Sequence, residues 1–485
     1  MKKILRPILC GGVLAALLCT PSLAAEQGDF SLLVNGEPVT FTDAAPVLKD
    51  GRSFLPVATT FQALGFAQED IVWNGETQSV TASKDGTTIS LTVGDSAVTW
   101  TGPSWSQTSE DGTSGSAGGS GGIAYLDTAP YIDPATNRTY IPVGLVADIL
   151  GCRVAWDGAT STVIIDDVDA ILAENTETYE RMDQYLDYAR KYSQGNYQVE
   201  GSYLLTMPSE GTTTSADGSE EYTTEIINTV GGNYNMVTNQ TAMQFAMDMS
   251  IGGTIMGAPI SPTDMNLDVR ADLDTGMLYL YFQSEDLEYL MNNNVQINGE
   301  TIEFQIPDQW YSLDMKAVYD EAYGPGFYEE LIALSTASQE ATFAQTLEEL
   351  LKSDTLILTS TATTSDYLEA LNQLLGDSHF QKSGSTYTST LEQDGVTILF
   401  HLYTSGGQVN GYGMEMTASE TTGMEMTMTM EMKGDDMSLL MEMAGMTMEM
   451  DGTYRPSSTA PETEPPAGAT VVDLWELLTT PVSEL

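Results

Sequence analysis

The chain has 485 residues, and its 17 basic and 69 acidic side chains give a formal net charge of −52 at pH 7. A net negative charge of that size repels nucleic-acid phosphates and anionic lipid headgroups, so we expect no nucleic-acid partner. The length is sufficient for two or three domains of ordinary size.

Residues 1–24 have the composition of a signal peptide. Three basic residues precede an apolar stretch from Ile8 to Leu18, which is too short to cross a bilayer, and small residues follow at Ser22 and Ala24. We therefore expect a secreted or cell-surface protein. A lipoprotein anchored through Cys19 is the alternative, which the bulky Leu18 disfavours. No later stretch predicts a transmembrane segment.

An internal repeat occupies residues 30–168. The stretch from Gly51 to Val57, Gly-Arg-Ser-Phe-Leu-Pro-Val, recurs 86 residues later as Asn-Arg-Thr-Tyr-Ile-Pro-Val, and a Leu-Gly pair recurs at the same offset. Trp73-Asn74-Gly75 recurs as Trp156-Asp157-Gly158 with three residues fewer between. Each copy predicts a strand ended by proline, a helix ended by glycine and a hairpin. Because one copy is too small to close a core, we expect two ββαββ-like units to pack together as one domain.

These residues resemble the copper amine oxidase N-terminal-like domain, also called the stalk domain. The resemblance is carried by Val34-Asn35-Gly36, the two Arg-x-aromatic-hydrophobic-Pro-Val stretches, the two Leu-Gly pairs, Ala129-Pro130 and both tryptophans. It implies a module of secreted bacterial proteins that holds neither the copper nor the quinone cofactor of its namesake. The Gly- and Ser-rich stretch 102–122 departs from the family's short turn and predicts a flexible loop.

The second half of the chain has the pattern of long strands. Residues 169–195 predict an amphipathic helix, either a connector or the first element of the next domain. Residues 196–455 predict an antiparallel β domain with helices near 327–375, and residues 456–485 a Pro-rich linker with a short C-terminal segment. The whole chain is therefore predicted to be a strand-rich α+β protein. The stalk domain would be followed by an antiparallel half-barrel or curved sheet with helical insertions.

The order of these elements over residues 175–455 resembles the half-barrel of bacterial lipoprotein carriers and their lipid-binding relatives. The stretch Gln309-Trp310-Tyr311-Ser312-Leu313-Asp314 resembles a strand common in that group. The resemblance implies a β domain that binds a hydrophobic ligand or a partner protein.

Thirteen of the 25 methionines lie between residues 414 and 450. Their positions are even up to Met432, odd from Met437 to Met443 and even again to Met450. A period of two predicts strands with methionine on one face and Glu or Thr on the other. Loops at 421–423, 433–436 and 444–445 account for the changes of parity. The prediction is a four-stranded antiparallel meander in which Met416 lies opposite Met428, Met432 opposite Met437, and Met443 opposite Met446.

Two kinds of site compete for this methionine face. An apolar core or a cavity for a hydrophobic ligand suits flexible, polarizable side chains. Its candidate residues are Met426, Met428, Met430, Met441, Met443 and Met448. The alternative is an extracytoplasmic Cu(I) site, because soft ions favour thioethers. Its candidate ligands are Met414, Met416, Met426, Met428, Met430, Met441, Met443, Met448 and His401.

We favour the core or cavity, because a full strand face with regular alternation is typical of packed sheets. The helices between 327 and 375 are expected to cover this face, unless it lines a cavity. The glutamates of the opposite face should point to solvent, since unpaired buried carboxylates are costly; they are Glu415, Glu425, Glu431, Glu442 and Glu449. A two-residue turn at Gly406-Gly407 would place His401 on the methionine face, whereas a loop of odd length would place Phe400 and its apolar neighbours there.

The sequence contains no catalytic constellation. After the leader only His379 and His401 remain as histidines, and there is no nucleophile elbow, zinc-protease helix or phosphate loop. Cys152 is the only cysteine after the leader, so no internal disulfide is expected. Asp166, Asp167 and Asp169 lack EF-hand spacing and indicate a solvated junction. We expect a non-enzymatic protein without a cofactor, whose partner is a cell-envelope component or a hydrophobic ligand.

Overall fold

The computed structural model describes residues 31–49, 52–102, 106–108, 114–116, 121–126, 128–142, 150–192, 194–214, 221–286, 288–289, 296–297, 300–301, 306–337, 341–353, 356–393, 395–418 and 425–479. The chain divides into two compact units, Met1–Thr176 with Glu348–Ala370, and Glu177–Leu347 with Leu371–Leu485. Within the described residues, no helix has the length and apolar character needed to cross a membrane.

The first unit is built from short strands and small sheets. Its strands are β1 (Ser31–Val34), β2 (Glu37–Pro38), β3 (Val47–Lys49), β4 (Arg52–Pro56), β5 (Ile71–Asn74), β6 (Ser79–Lys84), β7 (Thr87–Thr92), β8 (Ala97–Thr101), β9 (Ser106–Thr108), β10 (Ser114–Ser116), β11 (Gly122–Tyr125), β12 (Tyr131–Asp133), β13 (Arg138–Pro142), β14 (Arg153–Asp157) and β15 (Thr162–Asp166). Its short helices are α1 (Val57–Ala63) and α2 (Val168–Glu174). The sheets have the orders β14-β15-β1-β2, β12-β13-β4-β3, β11-β8-β7-β6-β5 and β10-β9.

The two repeats meet along β4 and β13, which pair antiparallel. Leu55 pairs with Ile141, and the flanking pairs are Phe54 with Pro142 and Pro56 with Tyr140. Leu55 and Ile141 are fully buried, at 0% exposure, in a core that both repeats share. Each central residue thus pairs with its own equivalent in the other copy, and the predicted packing of two similar units into one domain is confirmed. The helix expected at 143–149 of the second repeat lies outside the described residues.

The hairpins that carry Trp73 and Trp156 correspond closely between the two repeats. Trp73 pairs with Val80 and Trp156 with Val163, at the same offset within each hairpin. The two indoles are 45% and 46% exposed. Asn74 Oδ1 accepts from the N–H groups of residues 76 and 77, and Asp157 Oδ1 accepts from that of residue 159. These Asx turns give the two hairpins the same local structure.

The segment Glu348–Ala370 packs against the second repeat. Asp157 Oδ2 accepts from the backbone N–H of Ser360 at 3.0 Å and from its hydroxyl at 2.8 Å. Asp166 Oδ2 accepts from Thr364 N at 3.2 Å. Two carboxylates of the stalk domain therefore hold a segment that lies about 200 residues further along the chain.

The acidic junction at the end of the stalk domain is solvated at Asp169, as predicted, but not at Asp166. Asp166 is fully buried. Asp167 caps α2 by accepting from Ala170 N at 3.0 Å, and Asp169 Oδ1 lies 2.6 Å from the ammonium of Lys352. The three carboxylates have separate structural roles, which their spacing in the sequence does not reveal.

The second unit is dominated by one large antiparallel sheet. Its strands are β16 (Tyr197–Thr214), β17 (Glu221–Thr238), β18 (Ala242–Ile255), β19 (Ala258–Asp272), β20 (Met277–Gln283), β21 (Gln296–Ile297), β22 (Glu300–Thr301), β23 (Trp310–Asp314), β24 (Gln381–Ser383), β25 (Thr386–Gln393), β26 (Val396–Ser405), β27 (Gln408–Ala418), β28 (Met426–Lys433), β29 (Asp436–Met443), β30 (Met446–Pro456) and β31 (Val471–Asp473). The large sheet has the order β24-β25-β26-β27-β28-β29-β30-β16-β17-β18-β19-β20-β23-β31 and is curved. The strand-rich α+β class is confirmed.

Helices precede these strands, are inserted between them or follow them. They are α3 (Glu180–Arg190), α4 (Met315–Tyr323), α5 (Phe327–Ala337), α6 (Phe343–Lys352), α7 (Thr364–Leu375) and α8 (Leu474–Thr479). The end of α6 and the beginning of α7 belong to the segment Glu348–Ala370 of the first unit. The helical insertions near 327–375 are therefore present as predicted.

The join between β30 and β16 depends on glycine. A Cβ on Gly201 would lie 1.9 Å from the carbonyl oxygen of Asp451, and one on Gly452 would lie 2.3 Å from the hydroxyl of Tyr234. The Tyr234 ring crosses this space and its hydroxyl donates to Asp451 O at 2.8 Å. One aromatic side chain thus fills the volume that two glycines leave open.

The Pro-rich linker is docked on the sheet. Arg270 lies 2.6 Å from a Glu462 carboxylate oxygen and donates to Glu464 O at 2.6 Å. Beyond the linker, β31 pairs in parallel with β23. β23 is thereby hydrogen-bonded on both sides, and β31 becomes the edge strand of the sheet.

Candidate functional site: the methionine face

The methionine meander has the predicted register. Met416 pairs with Met428, Met428 with Met441, and Met441 with Met448. Met432 pairs with Met437 and Met443 with Met446, as the parity changes require. The second loop is tighter than predicted, because Lys433 and Asp436 also pair. Met424 and the loop 421–423 lie outside the described residues.

One row of this face continues far beyond the meander. Residues paired directly with one another across ten consecutive strands are Leu391, Ile398, Met416, Met428, Met441, Met448, Leu205, Val230, Ile251 and Thr263. None of them carries a charge. At ~4.8 Å between strands, the part from Met416 to Ile251 is about 29 Å long. The sequence analysis did not predict that the row continues through β16, β17 and β18, although the alternation of apolar and polar residues in these strands indicates it.

Burial along the methionine face is graded. The methionines at one end are less than a tenth exposed: Met414, Met430, Met432, Met437 and Met450. Those toward the other end are only half-buried: Met416, Met426, Met428, Met441, Met443, Met446 and Met448. All of them share one face of the same sheet. The face is therefore a packed core at one end and an accessible apolar surface at the other.

The helix packed on the buried end is α3. The Tyr185 ring lies 5.2 Å from that of Tyr412 and 6.4 Å from that of Phe400. The Tyr188 hydroxyl donates to Gly434 O at 2.6 Å. The helix expected at 169–195 therefore covers the buried end, a role that the sequence predicts for helices between 327 and 375. Of those helices, α7 contacts the same face at β25, where the Ser389 hydroxyl donates to Leu374 O.

Tyr188 on α3 and the sheet residues Tyr412 and Tyr454 form an aromatic layer at the buried end of the methionine face, and their hydroxyls are neutral. Burial raises the pKa of Tyr188 and raises that of Tyr454 to about 12. The layer therefore adds no charge to the apolar face beneath it.

His401 lies on the opposite face of the sheet. A bulge between Tyr403 and Thr404 shifts the register by one residue, so that His401 pairs with Gly413 and not with Tyr412. Its Nδ1 is 2.8 Å from the hydroxyl of Thr388. The expectation that a Gly-Gly turn puts His401 among the methionines is wrong. Ile398, Phe400 and Leu402 lie on the face that carries the methionines. His401 is therefore not placed to join a thioether site.

The glutamate face is polar and mostly open. Glu415, Glu425, Glu442 and Glu449 are exposed, as predicted. Glu431 is half-buried and accepts from the Tyr403 hydroxyl at 2.5 Å and from Lys433 at 2.8 Å. Burial opposes ionisation, but these two hydrogen bonds outweigh it and lower the pKa of Glu431.

Conventional metal ligands do not converge in the described residues. No group of three or more His, Cys, Asp or Glu side chains there is placed to hold a metal ion. Cys152 is buried, and burial raises the pKa of its thiol to about 12. A thiolate is thus disfavoured at this position. The thioethers of the methionine face are the soft donors that the described structure brings together.

Comparison with known proteins supports the assignment of the first domain. Residues 33–165 match the family model described as the copper amine oxidase N-terminal domain. The resemblance of residues 30–168 to the stalk domain is thereby confirmed. In copper amine oxidases that domain is non-catalytic. No curated protein matches the chain.

One solved structure matches about half of the chain. It is a crystal structure of a β-barrel-like protein of a domain of unknown function from Brucella abortus. It shares 10% sequence identity, covers 54% of this chain and 98% of its own, and has a TM-score of 0.17.

Proposed function

We propose that this protein is a secreted or cell-surface, non-enzymatic binding protein whose β domain holds an elongated apolar ligand along the methionine face. The stalk domain would serve as its spacer or attachment module. The leader-like sequence of residues 1–24 and the match of residues 33–165 support the extracytoplasmic setting.

The uncharged row from Met416 to Ile251 carries this proposal. Soluble proteins rarely leave contiguous apolar surface uncovered, and where they do, it marks a binding site. The row is only half-buried along the meander, and Ile251 at its end is 39% exposed. Its length of about 29 Å exceeds the ~15 Å of hydrocarbon in one lipid leaflet. An extended acyl chain or a similar flexible hydrocarbon therefore fits it.

The choice of methionine supports a flexible ligand. β-strands are usually filled with β-branched and aromatic residues. Unbranched thioether side chains instead adapt their shape to irregular apolar partners. Four of them stand next to one another in the row, from Met416 to Met448, and this arrangement suits a surface that remodels around its ligand.

A pair of variants on one strand tests the proposal. Met441→Glu places a carboxylate on the methionine face, whereas Leu440→Glu adds the same charge one residue away on the opposite face, where Leu440 is 40% exposed. The fluorescent apolar probe N-phenylnaphthylamine is titrated into the wild type and both variants. We expect Met441→Glu to weaken binding at least roughly tenfold and Leu440→Glu to leave it unchanged. Equal binding by all three proteins would refute the site.

A Cu(I) site is the second candidate function, and the direct pairing of Met416, Met428 and Met441 favours it. Thioether ligands select Cu(I) over hard cations. A titration with a competing chelator tests it: a dissociation constant tighter than micromolar that Met428→Leu weakens would support copper binding. His401→Ala is the matched control, because His401 lies on the other face and its loss should not change the affinity.

A further inference from the structure

The graded burial of the methionine face separates its sulfur atoms into two classes. Met430 and Met450 are 6% and 9% exposed, whereas their neighbours Met428 and Met448 are half-buried on the same face of the same strands. The local backbone and sequence are otherwise alike. Accessibility is therefore the variable that distinguishes the two classes chemically.

Accessible thioethers are oxidisable, and the product is polar. A methionine sulfoxide carries a strong dipole, and reductases can restore the thioether. Four half-buried methionines are adjacent in the row: Met416, Met428, Met441 and Met448. A sulfoxide formed here would face a bound hydrocarbon that offers no hydrogen-bond donor. Such an unpaired polar group opposes ligand binding.

We infer that the half-buried row from Met416 to Met448 is a reversible oxidation site, and that peroxide oxidation there releases the apolar ligand. This inference rests on the proposed function. In each step one sulfur lone pair attacks an oxygen of hydrogen peroxide and the O–O bond breaks. The thioether loses two electrons and keeps the attacked oxygen as a sulfoxide. The proton on that oxygen passes to the other peroxide oxygen, which leaves as water.

The continuation of the row is chemically different. Leu205, Val230 and Ile251 extend the same apolar surface but contain no sulfur. Oxidation therefore alters the β27–β30 residues of the row and leaves these three unchanged. Met249, half-buried on the same face of β18 as Ile251, is a further oxidisable thioether. The expected result is weakened binding with the fold retained, because the buried methionines under α3 keep their packing.

Timed peroxide treatment with peptide mapping by mass spectrometry tests the first half of the inference. The half-buried methionines should convert roughly tenfold faster than Met414, Met430 and Met450. Titration of N-phenylnaphthylamine before and after treatment tests the second half. Affinity should fall roughly tenfold or more and return after methionine sulfoxide reductase treatment.

The variant in which Met416, Met428, Met441 and Met448 are all replaced by leucine is the control, because leucine has a similar volume and is not oxidised by this route. It should bind the probe before treatment and keep its affinity afterwards. If the untreated wild type binds no probe, the proposed function fails. If the probe binds but oxidised wild type retains full affinity, the inference is overturned. Equal loss of affinity in the fourfold leucine variant, or equal oxidation rates in the two methionine classes, would also overturn it.

Discussion

Leu55 in the first repeat of the stalk domain pairs directly with Ile141 in the second, and both side chains are fully buried. The 86-residue offset that relates the two copies also relates these two residues. The centre of the domain is therefore a contact between equivalent positions, and neither copy completes this part of the core alone.

The symmetric pairing predicts equal costs for two substitutions. Leu55→Ala and Ile141→Ala each remove a fully buried branched side chain, so each should lower the free energy of unfolding by about 2–5 kcal/mol. Urea unfolding followed through the stalk tryptophans measures both. A large cost at one position with none at the other would contradict a shared core.

The contact of Asp157 with Ser360 predicts a pH dependence. Burial opposes ionisation, but hydrogen bonds from Ser360, Thr160 and Ala159 prevail and lower the pKa of Asp157 from 3.8 to about 2. A depressed carboxyl pKa in the folded state stabilises the fold above the unfolded-state value, and this contribution disappears as the pH falls through the folded value. Asp157→Asn should therefore melt below the wild type at neutral pH. The two melting temperatures should converge between pH 4 and pH 2, and a constant difference would contradict the account.

Gly201 at the join of β30 and β16, and Gly252 in β18, predict opposite outcomes for the same substitution. Gly201→Ala forces a Cβ to within 1.9 Å of Asp451 O, whereas the nearest atom to a Cβ at Gly252 is 3.8 Å away. Gly201→Ala should cost about 1–3 kcal/mol or more, and Gly252→Ala should be neutral. Chemical unfolding of the two variants distinguishes them. Equal stability would contradict the close packing of Asp451 O and Tyr234 against Gly201.

The burial gradient predicts graded costs along β28. Met430→Ala should destabilise by about 2–5 kcal/mol because Met430 is only 6% exposed. Met428→Ala should cost about half as much, since part of its side chain already contacts water. Met428→Leu should cost less than ~1.5 kcal/mol, because the two side chains are similar in volume. A cost at Met428 equal to that at Met430 would mean that the row is covered in solution.

The sequence permits prediction where a pattern is local. Parity alone places Met416 opposite Met428 and Met443 opposite Met446, because side chains alternate strictly along a strand. The repeat likewise predicts that Trp73 and Trp156 lie in matching hairpins. Both inferences depend on residues that are close in sequence or related by duplication.

Prediction fails where the outcome depends on distant contacts or on one extra residue. The face on which His401 lies depends on a single bulge beside Tyr403, and the local sequence does not indicate that bulge. The burial of Asp166 depends on Thr364, far along the chain. The covering role of α3 could not be read from its amphipathic pattern, because many faces of the sheet offer apolar partners.

Native mass spectrometry of the purified protein tests the central claim most directly. We expect an apolar ligand to be retained by the wild type and by Leu440→Glu, and to be lost from Met441→Glu. Retention of the same ligand by Met441→Glu, or a bound copper ion in place of any organic ligand, would contradict binding of a hydrocarbon along the methionine face.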